Sequence, residues 1–139
     1  MKTVLGFIVI SVFVIHACHK ENATSQNPTI SGKIDITPEL KNDVKESDTI
    51  FIIARHGASG PPLAVKKLSP QTFPTTYLLS QSDVMFAGSD FSGEVDVTVR
   101  VDKDGDAMTK NPGDLFGKTL HPIKVGSSNA DVVINQKIP

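Results

Sequence analysis

The chain has 139 residues, with 14 basic and 15 acidic side chains and a single cysteine. This length suits one domain with one core. The balanced charge, without a Lys/Arg block or an aromatic ladder, argues against a nucleic-acid partner. One cysteine excludes an internal disulfide and a Cys-rich zinc site, so we expect packing to stabilise the fold.

The first 17 residues have the layout of a secretory signal. Lys2 is the only charge before an apolar run of 12 residues, Val4 to Ile15, and a polar segment begins at His19. A charged start, a short apolar stretch and a small residue before a break are typical of signal peptides. A membrane-spanning helix needs about 20 apolar residues. We therefore predict a cleaved signal peptide over residues 1–17.

The cysteine lies at the end of this segment, in Ile15-His16-Ala17-Cys18. These residues resemble a bacterial lipobox, although His16 stands where that pattern has a small or hydroxylated residue. The resemblance implies that Cys18 carries a diacylglyceryl group and, after cleavage, an acylated amino group; two or three acyl chains attach a protein stably to a membrane. We expect a lipoprotein of the cell envelope that faces the periplasm, with the outer membrane favoured because His19 follows the cysteine.

Haem attachment is an alternative at the same place. The c-type motif is C-x-x-C-H, and residues 15–19 match it except that Ile15 replaces the first cysteine. Because the residues upstream have the pattern of a signal rather than of a haem-pocket helix, covalent haem is the weaker interpretation.

The remainder divides into a tether and a domain. Residues 18–28 are polar and have no apolar period, which is typical of a segment that cannot bury enough surface to fold. We interpret them as a lipidated flexible tether and residues 29–139 as the folded domain. Apolar and polar residues alternate in Thr29–Ile36 and Glu94–Val101, as in half-buried strands. The continuous apolar run Thr49–Arg55 indicates a strand buried on both faces.

Turn signals separate several shorter segments of strand pattern. Thr37-Pro38 predicts a short helix or turn, and the stretch NPGDLFG (111–117) predicts a loop. The segment 80–93 is expected to plug one end of the core with Val84, Met85, Phe86 and Phe91. Further strands are predicted over residues 63–68, 75–79, 120–125 and 131–135. Seven or eight short strands with little helix predict an all-β fold, an antiparallel immunoglobulin-like β-sandwich.

Three stretches carry a family resemblance: DTIFIIAR (48–55), GPPLAVKKL (60–68) and AMTKNPGDLFG (107–117). They resemble the C-terminal Ig-like domain of cytochrome c-type biogenesis protein H, and the likeness extends over about residues 29–136. The resemblance implies an Ig-like fold, a periplasmic location and a link to the handling of apocytochrome c. The family's membrane helices and 34-residue TPR repeats have no counterpart in this sequence. We therefore expect an Ig-like domain alone on a lipid tether.

Four loop residues are candidate ligands for Cu(I) or haem iron: His56, His121, Met85 and Met108. Imidazole and thioether groups suit these metals. Both histidines lie in loops rich in Gly and Pro, where an exposed imidazole is the ordinary outcome, so we predict no metal site and no cofactor. A blue-copper centre would need a cysteine thiolate, and Cys18 lies outside the domain.

The acidic stretch 102–106 raises the possibility of calcium, because carboxylates on alternate residues can converge on a hard cation. An EF-hand loop beginning at Asp102 would need Gly at its sixth position and Glu at its twelfth. Ala107 and Gly113 stand there instead. The favoured interpretation is a solvated turn at Asp104-Gly105.

No catalytic residue is predicted. Ser59 lacks the strand-turn-helix surroundings of a nucleophile elbow, and Arg55 is expected to pair with a carboxylate at the edge of the core. We expect a non-enzymatic binding or assembly module that presents an edge strand or loop face to a protein of the envelope, with cytochrome c maturation components as candidate partners. The alternative is a metal- or haem-handling protein that uses the loop His and Met residues.

Overall fold

A computed structural model describes residues 27–70 and 72–139. Nine strands and two short 3-10 helices, Pro38–Asp43 and Gln81–Asp83, account for the regular structure of these residues. The strands are β1 (Thr29–Ile36), β2 (Thr49–Arg55), β3 (Pro62–Leu68), β4 (Thr75–Ser80), β5 (Glu94–Asp102), β6 (Leu115–Lys118), β7 (Ile123–Lys124), β8 (Val132–Ile134) and β9 (Gln136–Lys137). No helix among these residues has the length and apolar character needed to cross a membrane.

The strands form two sheets, which confirms the predicted sandwich. The small sheet has the order β4-β1-β8, and the large sheet has the order β3-β2-β5-β6-β9, with β7 paired to the start of β5. All pairs are antiparallel except β1 and β8, which run parallel from Ile34↔Val132 to Ile36↔Ile134. The small sheet is therefore mixed rather than purely antiparallel. The loop that leads into β8 causes this, because hydrogen bonds between Ser31 and residues 127 and 130 place it beside β1.

The core lies between the sheets and follows the alternation of the sequence. Ile30, Ile34 and Ile36 of β1 point inward, opposite four fully buried valines of β5. The valines are Val95, Val97, Val99 and Val101. In β2 the inward side chains are buried, and so are Phe51 and Ile53 on the opposite face. The prediction that β2 is buried on both faces is confirmed.

One segment passes from the small sheet to the large one. After β8 the chain crosses over, Asn135 N–H donates to the Phe116 carbonyl, and β9 pairs with β6. The crossing needs Gly117, since a Cβ there would overlap the carbonyl of Val133. This segment closes one side of the sandwich.

Two local predictions were wrong. Residues 115–117 belong to β6 rather than to a loop; inward-facing Leu115 and Gly117 continue the core after the turn at Pro112-Gly113. In the segment 80–93, Phe91 is fully buried as expected, but Met85 and Phe86 are exposed. Val84 packs against the core as predicted, whereas Met85 N–H donates to the Leu63 carbonyl, so the chain at Met85 lies along the edge of β3.

Candidate binding site

The outer face of the large sheet carries a patch of mixed charge and apolar character. Alternation along β5 turns its valines inward and therefore turns Asp96, Thr98 and Arg100 outward. The register sets Arg55 of β2 opposite Asp96 and Ile53 opposite Thr98. On the other side of β5, Lys118 lies opposite Thr98 and Phe116 opposite Arg100. Three neighbouring strands thus bring these side chains together.

A cavity of about 500 Å³ lies over this patch, within the size range of small-ligand sites. The turn 57–60 borders it on one side, and the loop 103–114 contributes Lys110. The lining residues are Ile53, Arg55, Gly57, Ala58, Ser59, Gly60, Asp96, Thr98, Arg100, Lys110, Phe116, Lys118, Thr119, Leu120 and Ile138.

The loop 103–114 is held by carboxylates that accept hydrogen bonds from its own backbone. Asp102 Oδ1 accepts from Gly105 N–H at 2.6 Å, and Asp104 Oδ1 accepts from Asp106 N–H at 3.0 Å. Buried Asp114 clamps the loop, because its two oxygens accept from the N–H groups of Lys103 and Asn111, each at 3.0 Å.

This arrangement bears on the calcium alternative. One oxygen of each carboxylate in the stretch 102–106 accepts from a backbone amide, and the second oxygen of Asp106 accepts from the Thr109 hydroxyl at 2.9 Å. Residues 27–70 and 72–139 contain no group of three or more His, Cys, Asp or Glu side chains that could hold a metal ion. The segment is a turn at the start of a longer loop, with Gly105 at φ +80°.

Arg100 lies at the base of the cavity and is nearly buried, with 5% of its side chain exposed. Its Nη2 lies 3.0 Å from Asp102 Oδ2 and donates to the Asp106 carbonyl at 2.9 Å. The guanidinium stands 5.8 Å from the ring centre of Phe51, a cation–π distance. Within the described residues, Arg100 Nε and Asp102 Oδ2 have no hydrogen-bond partner, so charge rather than a directed hydrogen bond holds the pair together.

Burial raises the pKa of Asp102; the Asp104 side chain adds to this, and the charge of Arg100 opposes it.

The alternation of β5 predicted Arg100 on its polar face. The strand pattern gives no sign that the loop 103–114 covers that face. The only sequence signal was in β2, whose apolar outer face indicates that something lies above it.

The other cations of the cavity lack a matching number of anions. Arg55, Lys110 and Lys118 line it together with one carboxylate, Asp96, and in the part of the chain that the structure describes none of the three forms an ion pair. The expected pairing of Arg55 with a carboxylate is therefore not found. Burial, with a smaller contribution from the charge of Arg100, lowers the pKa of Arg55. Since the whole chain carries a formal charge of −1, the positive charge here is local.

The four candidate metal ligands lie on four separate loops. His56 Nδ1–H donates to the Glu94 carbonyl at 3.0 Å, His121 is exposed after β6, and Met85 and Met108 are 53% and 88% exposed. None of them lines the cavity. The metal- or haem-handling alternative stays a prediction, which metal analysis and an absorption spectrum of the purified protein would test.

Edge strands were the other predicted binding feature. At the edge of the large sheet, Ala64 of β3 bridges to Val84. At the edge of the small sheet, the Leu78 carbonyl of β4 accepts from Lys66 Nζ at 2.9 Å. Both edges are thus partly occupied by the chain itself. The predicted lipidation site Cys18 and the signal peptide 1–17 lie outside the described residues.

Two facing sheets around one apolar core, with a parallel pair at one edge and a chain that crosses between sheets, define an Ig-like β-sandwich. The family model described as the cytochrome c-type biogenesis protein H Ig-like domain matches residues 30–135. The chain belongs to this family, which confirms the resemblance.

A curated relative is the cytochrome c-type biogenesis protein CycH of Pseudomonas aeruginosa. It is 33% identical over 109 residues, which cover 76% of this chain and 26% of the relative. The chain thus corresponds to about a quarter of the length of that relative. No solved structure gives a significant match.

Proposed function

We propose that this protein is a lipid-anchored component of the cell envelope whose Ig-like domain is a non-enzymatic binding module in c-type cytochrome biogenesis. The observation that carries the binding role is the cavity on the outer face of the large sheet, where Arg55, Lys110 and Lys118 form no ion pair with any described residue. Family membership and the name of the Pseudomonas relative support the pathway. The lipobox-like residues before Cys18 support the anchor, with the outer membrane favoured over the inner.

The composition of the cavity favours binding over catalysis. Among the described residues that line it there is no histidine and no cysteine, the side chains that most often act as general base or nucleophile. Its hydroxyl groups come from Ser59, Thr98 and Thr119, and Thr119 Oγ1 already accepts from Val97 N–H. A site with cations above an apolar base is suited to hold an anionic group.

Deletion of the gene tests the pathway. We expect the deletion strain to lose c-type cytochromes, measured by haem staining of membrane proteins, and the full chain supplied in trans to restore them. Unchanged cytochrome levels in the deletion strain would refute the proposed pathway.

Affinity purification of the full chain from detergent-solubilised envelopes should recover a discrete maturation component. The matched control is the same purification from cells without the tagged chain.

A further inference from the structure

The charge of the cavity specifies part of its occupant. Besides Arg100, which is paired with Asp102, three cations share the space with one carboxylate, Asp96: they are Arg55, Lys110 and Lys118. Like charges in a partly desolvated site repel one another. For Arg55, burial and then the charge of Arg100 lower the pKa. An anionic group placed between them would relieve that repulsion, as carboxylates do when they bind Arg and Lys side chains.

The apolar lining specifies the rest. Ile53 is 3% exposed and lies in the base of the cavity, while Leu120 is 92% exposed at its border. Phe116 and Ile138 also line it and are half-buried. An inorganic anion would leave the exposed parts of Phe116, Leu120 and Ile138 in water, whereas a peptide with an apolar side chain next to its carboxylate would cover them.

The dimensions match a short extended peptide. Adjacent strands are separated by about 4.8 Å, so the patch from β2 to β6 is about 10 Å wide. Along β5, the distance from Asp96 to Arg100 is about 14 Å, at about 3.4 Å per residue. Alternate side chains of an extended peptide repeat at about 6.8 Å. The patch therefore accepts two side chains from one face of such a peptide.

We propose that this cavity binds an extended segment of a partner polypeptide in which a carboxylate side chain lies on the same face as an apolar one, held by Arg55, Lys110 and Lys118. This inference rests on the proposed binding role and adds the chemistry of the partner. The carboxylate lies among the cations, and the apolar side chain packs on Phe116 and Leu120.

Peptide selection tests the specificity. The full chain, purified in mild detergent, is presented to a library of random heptapeptides. We expect the selected peptides to be enriched in Asp or Glu two residues from Leu, Ile or Phe and depleted in Lys and Arg. Selection of no common motif, or of a motif without carboxylates, would overturn the proposal.

Fluorescence anisotropy with a labelled Glu-Ser-Leu-Ser-Glu peptide then measures separately how much the carboxylates and the apolar side chain contribute to affinity. We expect this peptide to bind at least about tenfold more tightly than Gln-Ser-Leu-Ser-Gln or Glu-Ser-Ser-Ser-Glu, and to be weakened by about 0.5 M salt. Equal affinity for all three peptides would overturn the proposal.

Paired Lys→Gln substitutions test whether the peptide binds in this cavity. Lys110→Gln with Lys118→Gln should weaken binding about tenfold or more, and because both side chains are exposed the fold should be unaffected. The matched control is Lys33→Gln with Lys124→Gln, two exposed lysines that do not line this cavity. Binding that survives the first pair, or that falls equally with the control pair, refutes the location.

Two further experiments distinguish peptide binding by the cavity from lipid binding and from the proposed pathway. Soluble short-chain phosphatidylglycerol is added as a competitor, and displacement of the peptide at lower concentrations of lipid than of unlabelled peptide would indicate a membrane surface and overturn the proposal. In the deletion strain, full restoration of cytochromes by the Lys110→Gln, Lys118→Gln chain would refute this use of the cavity while the proposed pathway stands. A deletion without effect refutes the pathway alone.

Discussion

Arg100 and Asp102 are two residues apart on β5, and both point away from the core into a region covered by the loop 103–114. Their charges lie 3.0 Å apart with almost no exposure to water. Removing two charges from water costs about as much free energy as their attraction returns. We therefore interpret the pair as a device that fixes the loop on the sheet, through the Arg100 bond to the Asp106 carbonyl, and not as a large source of stability.

Arg100→Met should lower the free energy of unfolding by about 3–5 kcal/mol, because it leaves Asp102 buried without its cation. Loss of the cation raises the pKa of Asp102 further, so the folded variant binds a proton that the unfolded chain releases. The loss measured by urea unfolding should be larger at about pH 8 than at about pH 5. Arg100→Met with Asp102→Asn is the control and should recover part of the stability; a double variant no more stable than the single one would contradict this account.

Asp106 gives a pH dependence of opposite sign. Hydrogen bonds from Met108 N–H and the Thr109 hydroxyl lower its pKa below the ordinary value of 3.8. A carboxyl with a lowered folded pKa contributes stability above its unfolded pKa and loses it as the pH falls through the folded value. Asp106→Asn should therefore unfold at lower urea concentration than the wild type at about pH 7, and the difference should shrink as the pH falls below the ordinary carboxyl value of 3.8. Asp90→Asn on another exposed loop is the control; a difference that does not change with pH would be inconsistent with this origin.

At the scale of elements, the crossing from β8 to β9 joins the two sheets at one side. Gly117 makes it possible, because a Cβ there would overlap the Val133 carbonyl oxygen. Gly32 has the same role for the loop that leads into β8, because a Cβ there would overlap the Ala130 carbonyl oxygen. On the small sheet, the buried Tyr77 hydroxyl donates to the Ala130 carbonyl at 2.6 Å. The loop into β8 and the crossing after it are thus held by close backbone packing.

Gly117→Ala should destabilise the domain by about 1–3 kcal/mol or more, because the added methyl group forces β6 away from β8. Thermal unfolding followed by circular dichroism measures the loss. Lys118→Ala, on the same strand with an exposed side chain, is the matched control and should change stability by less than about 0.5 kcal/mol. Equal melting temperatures for the two variants would show that a methyl group at residue 117 fits between β6 and β8, contrary to this account.

Across the whole molecule, local sequence patterns predicted the strands well. They did not predict which loops lie over the outer face of the large sheet. The alternation in β1 and β5 and the apolar run of β2 correctly identified the core, since each pattern depends only on neighbours in sequence. The burial of Arg100 depends on where the loop 103–114 folds. The cavity depends on the register of β2, β5 and β6, which are far apart in sequence. No local pattern carries that information.

The anchor is a prediction about the intact protein. Mass spectrometry of the mature protein should find Cys18 as its first residue, carrying a diacylglyceryl group and an acylated amino group. Cys18→Ser should abolish the lipid and release the protein from the membrane fraction. Recovery of residues 1–17 on the mature chain, or of unmodified Cys18, would rule out the lipobox interpretation.

Two backbone hydrogen bonds fix the position at which the chain enters the domain. Gly126 N–H donates to the Thr29 carbonyl and Val125 N–H donates to the Gly93 carbonyl, so the chain enters the sandwich beside the start of β5. From there β5 runs about 27 Å to Asp102, and the cavity residue Asp96 lies near its beginning. The cavity spans the middle of this strand, from Asp96 to Arg100, on the outer face of the large sheet. Because the cavity opens on a face of the sandwich and not at either end of β5, a partner can reach it from the side of the domain.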